Sequence, residues 1–151
     1  MIQKDKKQIL DIFKQQVDAK INDLKKQIKD LAEDAQNDAK GSAGDKHETG
    51  LAMMHLEQEK LNNKLKQALD QAQILNSIDT DKILNKAAMG ALVELPLGYF
   101  FVSDALQPIN FNSNKISPVS IQAPIYQAFK GKGKDEVFEF NGKKNLIKNI
   151  L

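Results

Sequence analysis

Asp45 and Glu48 are the residues whose type and spacing most directly offer chemistry. They stand three apart in the small-residue run Lys40-Gly-Ser-Ala-Gly-Asp-Lys-His-Glu-Thr-Gly50. Two physical readings compete for them. In the first, Asp45 is the N-cap of a helix, accepting backbone N–H bonds, and Glu48 at the third helical position reaches back as in a capping box. In the second, the two carboxylates project one turn apart and offer hard oxygen ligands to Mg²⁺. Two carboxylates leave such a site open, because Mg²⁺ takes six oxygens in near-octahedral geometry. A partner must then supply the remainder. His47 lies between the acids and His55 follows, but the pair lacks the i,i+4 histidine spacing of a zinc-binding helix.

The stretches on either side set where these acids can be. Before the run, Leu10, Val17, Leu24 and Leu31 recur every seventh residue, and Ile21, Ile28 and Ala35 fill the second stripe of the same face. After it, Leu51, Met54, Leu61, Leu65, Ala68, Ala72 and Leu75 keep the three-then-four spacing, interrupted by Gln58. Two amphipathic helices joined by a short Gly-containing loop bury their stripes against each other. The spacing therefore predicts an antiparallel coiled-coil hairpin over residues 1–79, with an acidic tip at 40–50. The outgoing helix is expected from about Asp5 to Asp38, and its length corresponds to a finger on the order of 50 Å. Its lysines, Lys6 and Lys7 among them, read as exposed residues serving solubility and i,i+4 pairing. Lys14 falls at a core-type position, and Met53 and Met54 read as gap-filling seam residues near the tip.

Composition changes near residue 80. All four prolines, both tyrosines and six of the seven phenylalanines follow it, and Phe13 is the exception. Residues 80–151 thus read as a separate compact domain, and the fold class as α+β. Gly90 to Leu95 and Tyr99 to Val102 read as paired strands about a Pro96-Leu-Gly98 turn. The segment 103–114 reads as irregular or as a short edge strand, and Lys115 to Pro118 as a further strand. Pro124 starts a short helix through about Phe129. Glu136 to Phe140 and Lys143 to Ile150 flank Asn141-Gly142, the strongest hairpin signal in the chain. One helix on a small antiparallel sheet is the expected form. This region carries no Gly-rich phosphate loop, no Ser/His/Asp set and no cysteine nucleophile, so it reads as a docking module.

The chain has no cysteine, which excludes disulfides and thiolate metal sites. No stretch resembles a signal peptide or a membrane span, so a cytoplasmic protein without membrane contact is expected. The net charge is +2 and all 22 basic residues are lysines. Without the arginine fork, readout of specific bases is disfavoured. Asp30, Glu33, Asp34, Asp38, Asp45 and Glu48 gather toward the tip against Lys29, Lys40 and Lys46.

The run Ile116-Ser-Pro-Val-Ser-Ile-Gln-Ala-Pro-Ile-Tyr-Gln-Ala-Phe-Lys-Gly-Lys-Gly-Lys-Asp-Glu-Val137 resembles the C-terminal signature of the bacterial Gre transcript-cleavage factors. There, a Ser-Pro-Ile-type helix start leads to Gly-Lys, Gly-Asp and a β-hairpin. Gly44-Asp45-Lys46-His47-Glu48 is similar to the Gly-Asp-x-x-Glu loop at the apex of that family's coiled coil. The resemblance implies a finger that enters the secondary channel of RNA polymerase and an FKBP-like C-terminal domain that docks at the channel mouth. It assigns Asp45 and Glu48 to a catalytic Mg²⁺ shared with the polymerase, which then cuts its own backtracked RNA. It further implies a monomeric elongation factor that is no enzyme by itself, binds no cofactor alone, and has the RNA 3′ end within reach.

After the second acid, Thr49-Gly-Leu-Ala stands where the family usually has Asn and then Ala-Glu-Tyr. The Gly-Asp of the C-terminal signature is replaced by Lys134-Asp135 or Asp135-Glu136. A secondary-channel regulator without cleavage activity is one alternative, and a structural coiled-coil module unrelated to transcription is another. Prolyl isomerisation follows only from the FKBP analogy, and no aromatic-lined pocket is evident for it.

Overall fold

The computed structural model describes the backbone of residues 1–41 and 45–151, and the side chains of 1–37 and 49–151. Two long helices come first, α1 (Gln3–Gly41) and α2 (Asp45–Asn76). Neither contains proline, which would remove a backbone donor and clash with the preceding turn. The strands β1 (Leu92–Leu95), β2 (Gly98–Ser103), β3 (Ile109–Phe111) and β4 (Asn114–Ser120) follow, then the short helix α3 (Pro124–Phe129). The chain ends with β5 (Val137–Phe140), β6 (Lys143–Leu146) and β7 (Asn149–Ile150). The fold is α+β, a helical hairpin and a C-terminal sheet.

The chain divides into two compact units, one of residues 15–73 and the other of residues 1–14 together with 74–151. In the first, α1 and α2 pack against each other along the stripes that the heptad spacing marks. Val17, Ile21 and Leu24 are buried on one side, Leu61 and Ala68 on the other. Ile28, Leu31, Ala35, Leu51, Met54, Gln58, Leu65 and Ala72 are half-buried. A two-helix seam has no third layer to close it, so residues toward its end keep more contact with water.

The second unit is built on a five-stranded sheet of order β3-β4-β2-β1-β7, beside a two-stranded sheet of β5 and β6. The large sheet is mixed, which differs from the antiparallel sheet expected. β1 pairs antiparallel with β2 and β7, and β3 with β4, but β2 and β4 are parallel. After β2 the segment 104–108 carries the chain one strand-place beyond the edge, where β3 runs back. β4 then turns into the gap alongside β2 and takes the same direction as β2.

One face of this sheet carries Val93, Leu95, Val102 and Ile150, packed with Tyr126, Phe129, Phe138 and Ile147. Phe129 meets Tyr126 and Phe138 edge-on, with ring centroids 5.6 and 5.5 Å apart. This edge-to-face arrangement suits the aromatic quadrupole. α3 opens with Pro124 after Ala123 in extended conformation, and no side chain caps it. Proline supplies a preset φ there and gives up a donor that the first helical turn leaves unpaired anyway. At the β5–β6 turn Asn141 and Gly142 have φ of 53° and 74°, the type I′ pair that matches strand twist. The partner strand expected to run from Lys143 to Ile150 is divided. β6 ends at Leu146, Ile147 turns inward to full burial, and Lys148 donates to the Glu94 carbonyl as the chain crosses to pair β7 with β1.

Strand side chains alternate, so Phe101 points away from the cluster that holds Phe100 and Val102. Phe13 of α1 stacks on Phe101 with centroids 5.8 Å apart and planes 2° from parallel. Ile9, Leu10, Phe13, Leu75 and Ile78 are buried in this unit. Gly90, at φ +86°, leaves room for Ile78, whose Cγ2 would lie 3.0 Å from any added Cβ.

Phe13 is fully buried, so Phe13→Ala removes an aromatic side chain from a packed core. The loss is expected to be about 3–5 kcal/mol of stability in the sheet unit. Denaturant unfolding followed by the near-ultraviolet signal of Tyr99 and Tyr126 measures it. A loss below about 1 kcal/mol, the range of surface substitutions and slightly beyond, refutes the role given to this stack.

Candidate functional site

α2 begins at Asp45, so the backbone of the first acid opens the returning helix. The side chains of Asp45, Glu48 and His47 lie outside the described residues, as do those of Asp38, Lys40 and Lys46. Residues 38–48 are flanked by described residues of α1 and α2 in the same unit. Asp30, Glu33 and Asp34 of α1 are exposed, as are Thr49 and His55 of α2. Leu51 and Met54 are half-buried on the seam, whereas Met53, with two-thirds of its surface open, faces away from it. Met53 is thus not the seam residue that its neighbour is. At a helix start, a carboxylate meets unpaired N–H groups and the positive end of the helix dipole, both of which favour its charged form. Among the described residues no group of three or more histidine or carboxylate side chains is gathered to hold a metal.

The described residues include a buried cation that the heptad reading passes over. Lys6, expected to be exposed, has no surface open to solvent, and its Nζ has no hydrogen-bond partner among the described residues. The reason is its place on the helix. Lys6, Ile9, Leu10 and Phe13 share the face that the sheet unit buries, at spacings of three and four. That spacing was the available signal, and the many lysines nearby concealed it. Burial pushes the Lys6 ammonium down from 10.5 to about 8, while the charge of Asp79 opposes the fall. Gln3 Nε2 donates to the carbonyls of Thr80 at 2.9 Å and Lys82 at 3.1 Å, tying the first turn of α1 to the linker after α2. Asp79 Oδ1 accepts from Asp81 N–H at 2.9 Å.

A cleft of about 520 Å³ opens beside this linker, with Ser77, Asp79 and Lys82 as polar walls and Ile78, Leu84, Ala88 and Met89 as apolar ones. It brings together no nucleophile, base and orienting group, the geometry a covalent mechanism needs. The two tyrosines with altered acidity have structural causes. Burial, then the charge and hydrogen bond of Glu94 opposite it on β1, raise Tyr99, and burial raises Tyr126. Among the described residues no helix is long and apolar enough to cross a membrane.

The sign of the Lys6 effect follows from proton counting. Below about pH 8 both folded and unfolded chains hold the proton, and the folded state bears the cost of a buried charge. Between about 8 and 10.5 the unfolded chain holds more protons, so stability rises with pH. Lys6→Met removes both the cost and the slope. The variant is expected to be more stable at pH 7 by on the order of 1–3 kcal/mol, with the advantage fading by pH 10.5. Paired denaturation curves of parent and variant across this range test it. A constant difference between them sinks the assignment.

A scan of the chain against models of protein families and a search of curated proteins found no match to either.

Proposed function

We propose that the chain is a Gre-like factor that acts on RNA polymerase, with the helical hairpin entering the secondary channel and the C-terminal unit, read as FKBP-like, docking beside it. The observation that supports this most is the hairpin itself. α1 and α2 bury their stripes against each other, and Asp45, with Glu48 one turn on, opens the second helix at the connection. The short helix started by Pro124 and the Asn141-Gly142 hairpin of the other unit agree with the C-terminal signature.

In this reading Asp45 and Glu48 contribute carboxylate oxygens to a Mg²⁺ completed by the polymerase. Their donor chemistry suits that ion, and two oxygens fall short of the six it takes. The metal, when bound, supplies Lewis-acid stabilisation and an activated water for phosphodiester cleavage. The protein's own part is to carry two negative charges into a narrow polar space. The sheet unit provides binding and no catalytic group. A second reading, a channel occupant that blocks without cleaving, is favoured by Thr49-Gly-Leu-Ala after the acids, where the family pattern is absent.

One pair of substitutions separates the metal role from helix capping. Asn caps a helix about as well as Asp, and Gln serves at the third position about as well as Glu. Asp45→Asn with Glu48→Gln therefore keeps the hairpin while removing both charges. The double variant is expected to bind core polymerase like the parent but to stimulate cleavage in backtracked complexes at least tenfold less, with partial recovery at high Mg²⁺, since a lost ionic ligand costs at least 1–2 kcal/mol. Equal cleavage by variant and parent eliminates the metal role. A parent that binds without stimulating cleavage leaves the blocking reading. No binding of the parent to core polymerase ends the transcription reading altogether.

A further inference from the structure

Between Asp104 and Asp135 the chain carries four lysines, Lys115, Lys130, Lys132 and Lys134, and no acid. Three of them fall in the run Lys130-Gly-Lys-Gly-Lys134 that leads from α3 toward β5. Gly131 has a φ of +72°, which side chains rarely adopt, and a Cβ on Gly133 would lie 3.0 Å from the Asn85 carbonyl oxygen. Every position of this loop that readily accepts a side chain therefore holds a lysine. Lys130 and Lys134 are exposed, and Lys132 is half-buried. The sheet unit as a whole carries 13 of the 22 lysines against nine of the 20 acids, whereas residues 15–73 carry nine lysines against 11 acids.

The backbone beneath these lysines is held in place. Lys130 N–H donates to the Tyr126 carbonyl at 2.7 Å, Gly131 N–H to that of Ala87 at 2.9 Å and Lys132 N–H to that of Phe129 at 3.0 Å, while Ala87 N–H donates to the Lys132 carbonyl at 2.8 Å. Gly133 N–H donates to the Glu136 carboxylate. Lys86, also exposed, stands opposite Gly133 in an antiparallel bridge, at a spacing of about 5 Å. Successive lysines of the loop lie at most about 7 Å apart along the chain.

These bonds decide what kind of anion the loop can take. A single phosphate seats on converging backbone N–H groups, and those of residues 130–133 are used within the fold. What remains is a short row of ammonium groups, which suits an extended run of negative charges. Residues 130–136 include no aromatic or apolar side chain that could anchor a protein partner, and a row matches a strand of phosphates better than a plane of lipid headgroups. Asp135 and Glu136 close the row, and the Glu136 carboxylate is committed to the loop's own backbone. We propose that residues 130–134, with Lys86 beside them, bind the phosphate backbone of nucleic acid. Lysines lack the fork that reads base edges, so the contact is indifferent to sequence. The inference concerns the sheet unit alone and does not rest on the transcription reading.

Fluorescence anisotropy of the full chain tests it, with labelled duplex DNA, single-stranded DNA and single-stranded RNA of mixed sequence as probes, at about 50 mM salt and above. Binding is expected to weaken with salt, with a log–log slope of about −3 to −4 on the duplex if four phosphates are neutralised. Lys86→Gln, Lys130→Gln and Lys134→Gln together alter only exposed residues. This triple variant is expected to lose about tenfold or more in affinity and to flatten the slope by about one for each lysine removed. Lys143→Gln, Lys144→Gln and Lys148→Gln, equally exposed, remove the same charge elsewhere in the unit and are expected to cost less than about threefold. The two single strands are expected to bind alike, since no 2′-hydroxyl is read. Equal losses in the two triple variants overturn the site, because binding then follows net charge alone. Failure of the parent to bind any of the three probes overturns it as well, as does tighter binding to phosphatidylserine vesicles than to the oligonucleotides.

Discussion

The stacking of Phe13 on Phe101 places a constraint on nearly everything else in the chain, because it makes one helix serve two cores. Ile9, Leu10 and Phe13 are buried with the sheet, and Val17, Ile21 and Leu24 with α2. The sheet has α3 and the β5–β6 hairpin over one face only, and side-chain alternation sends Phe101 and Ile116 to the other. Uncovered, that second face would expose large apolar side chains to water at roughly 25 cal/mol for each Å². The start of α1 supplies the cover. The compact unit therefore takes in residues 1–14 together with 74–151, although composition changes so sharply near residue 80.

That composition boundary shows what a local reading can and cannot reach. The hairpin was legible because a seven-residue apolar repeat with a glycine-bearing interruption has few other solutions, and the same stripes are the residues that lose solvent. Pro124 and Asn141-Gly142 were legible because each imposes a particular φ on its own segment. The parallel pairing of β2 with β4 was not, since it depends on where the 104–108 connection lands. No residue in either strand encodes that. The division of β6 from β7 escaped for a similar reason, as pairing with β1 is a long-range competition that begins only when Ile147 turns inward.

Two residues mark the limit differently, because their signals were present and outweighed. Phe13 is the single aromatic residue of the long helices, an odd member for a two-helix seam and a natural one for a cover over a sheet. Lys6 shares its stripe, but a lysine among many reads as a solvated face unless the spacing to Ile9 and Phe13 is checked. The exposed reading of Lys6 comes from treating α1 as one pattern with one partner. The candidate acids pose the reverse problem, for their types and spacing were plain from the start while their side chains lie outside the described residues.

The weight of the proposed function therefore rests on an argument about incompleteness. A carboxylate at a helix start is already favoured by the unpaired N–H groups and the dipole, by roughly 0.3–1 kcal/mol for an exposed charge. Two carboxylate oxygens hold Mg²⁺ poorly against its own hydration. In the proposed reading the pair is of little use alone. Its value changes only where other oxygens and a low dielectric are already fixed, since there a pair of added charges acts on a site whose geometry costs it nothing to assemble. The hairpin architecture suits that use. The described apolar stripes of its two helices are spent in packing against each other, with Val17, Ile21 and Leu24 buried on one side and Leu61 and Ala68 on the other, so the proposed chemistry must come from residues off that seam.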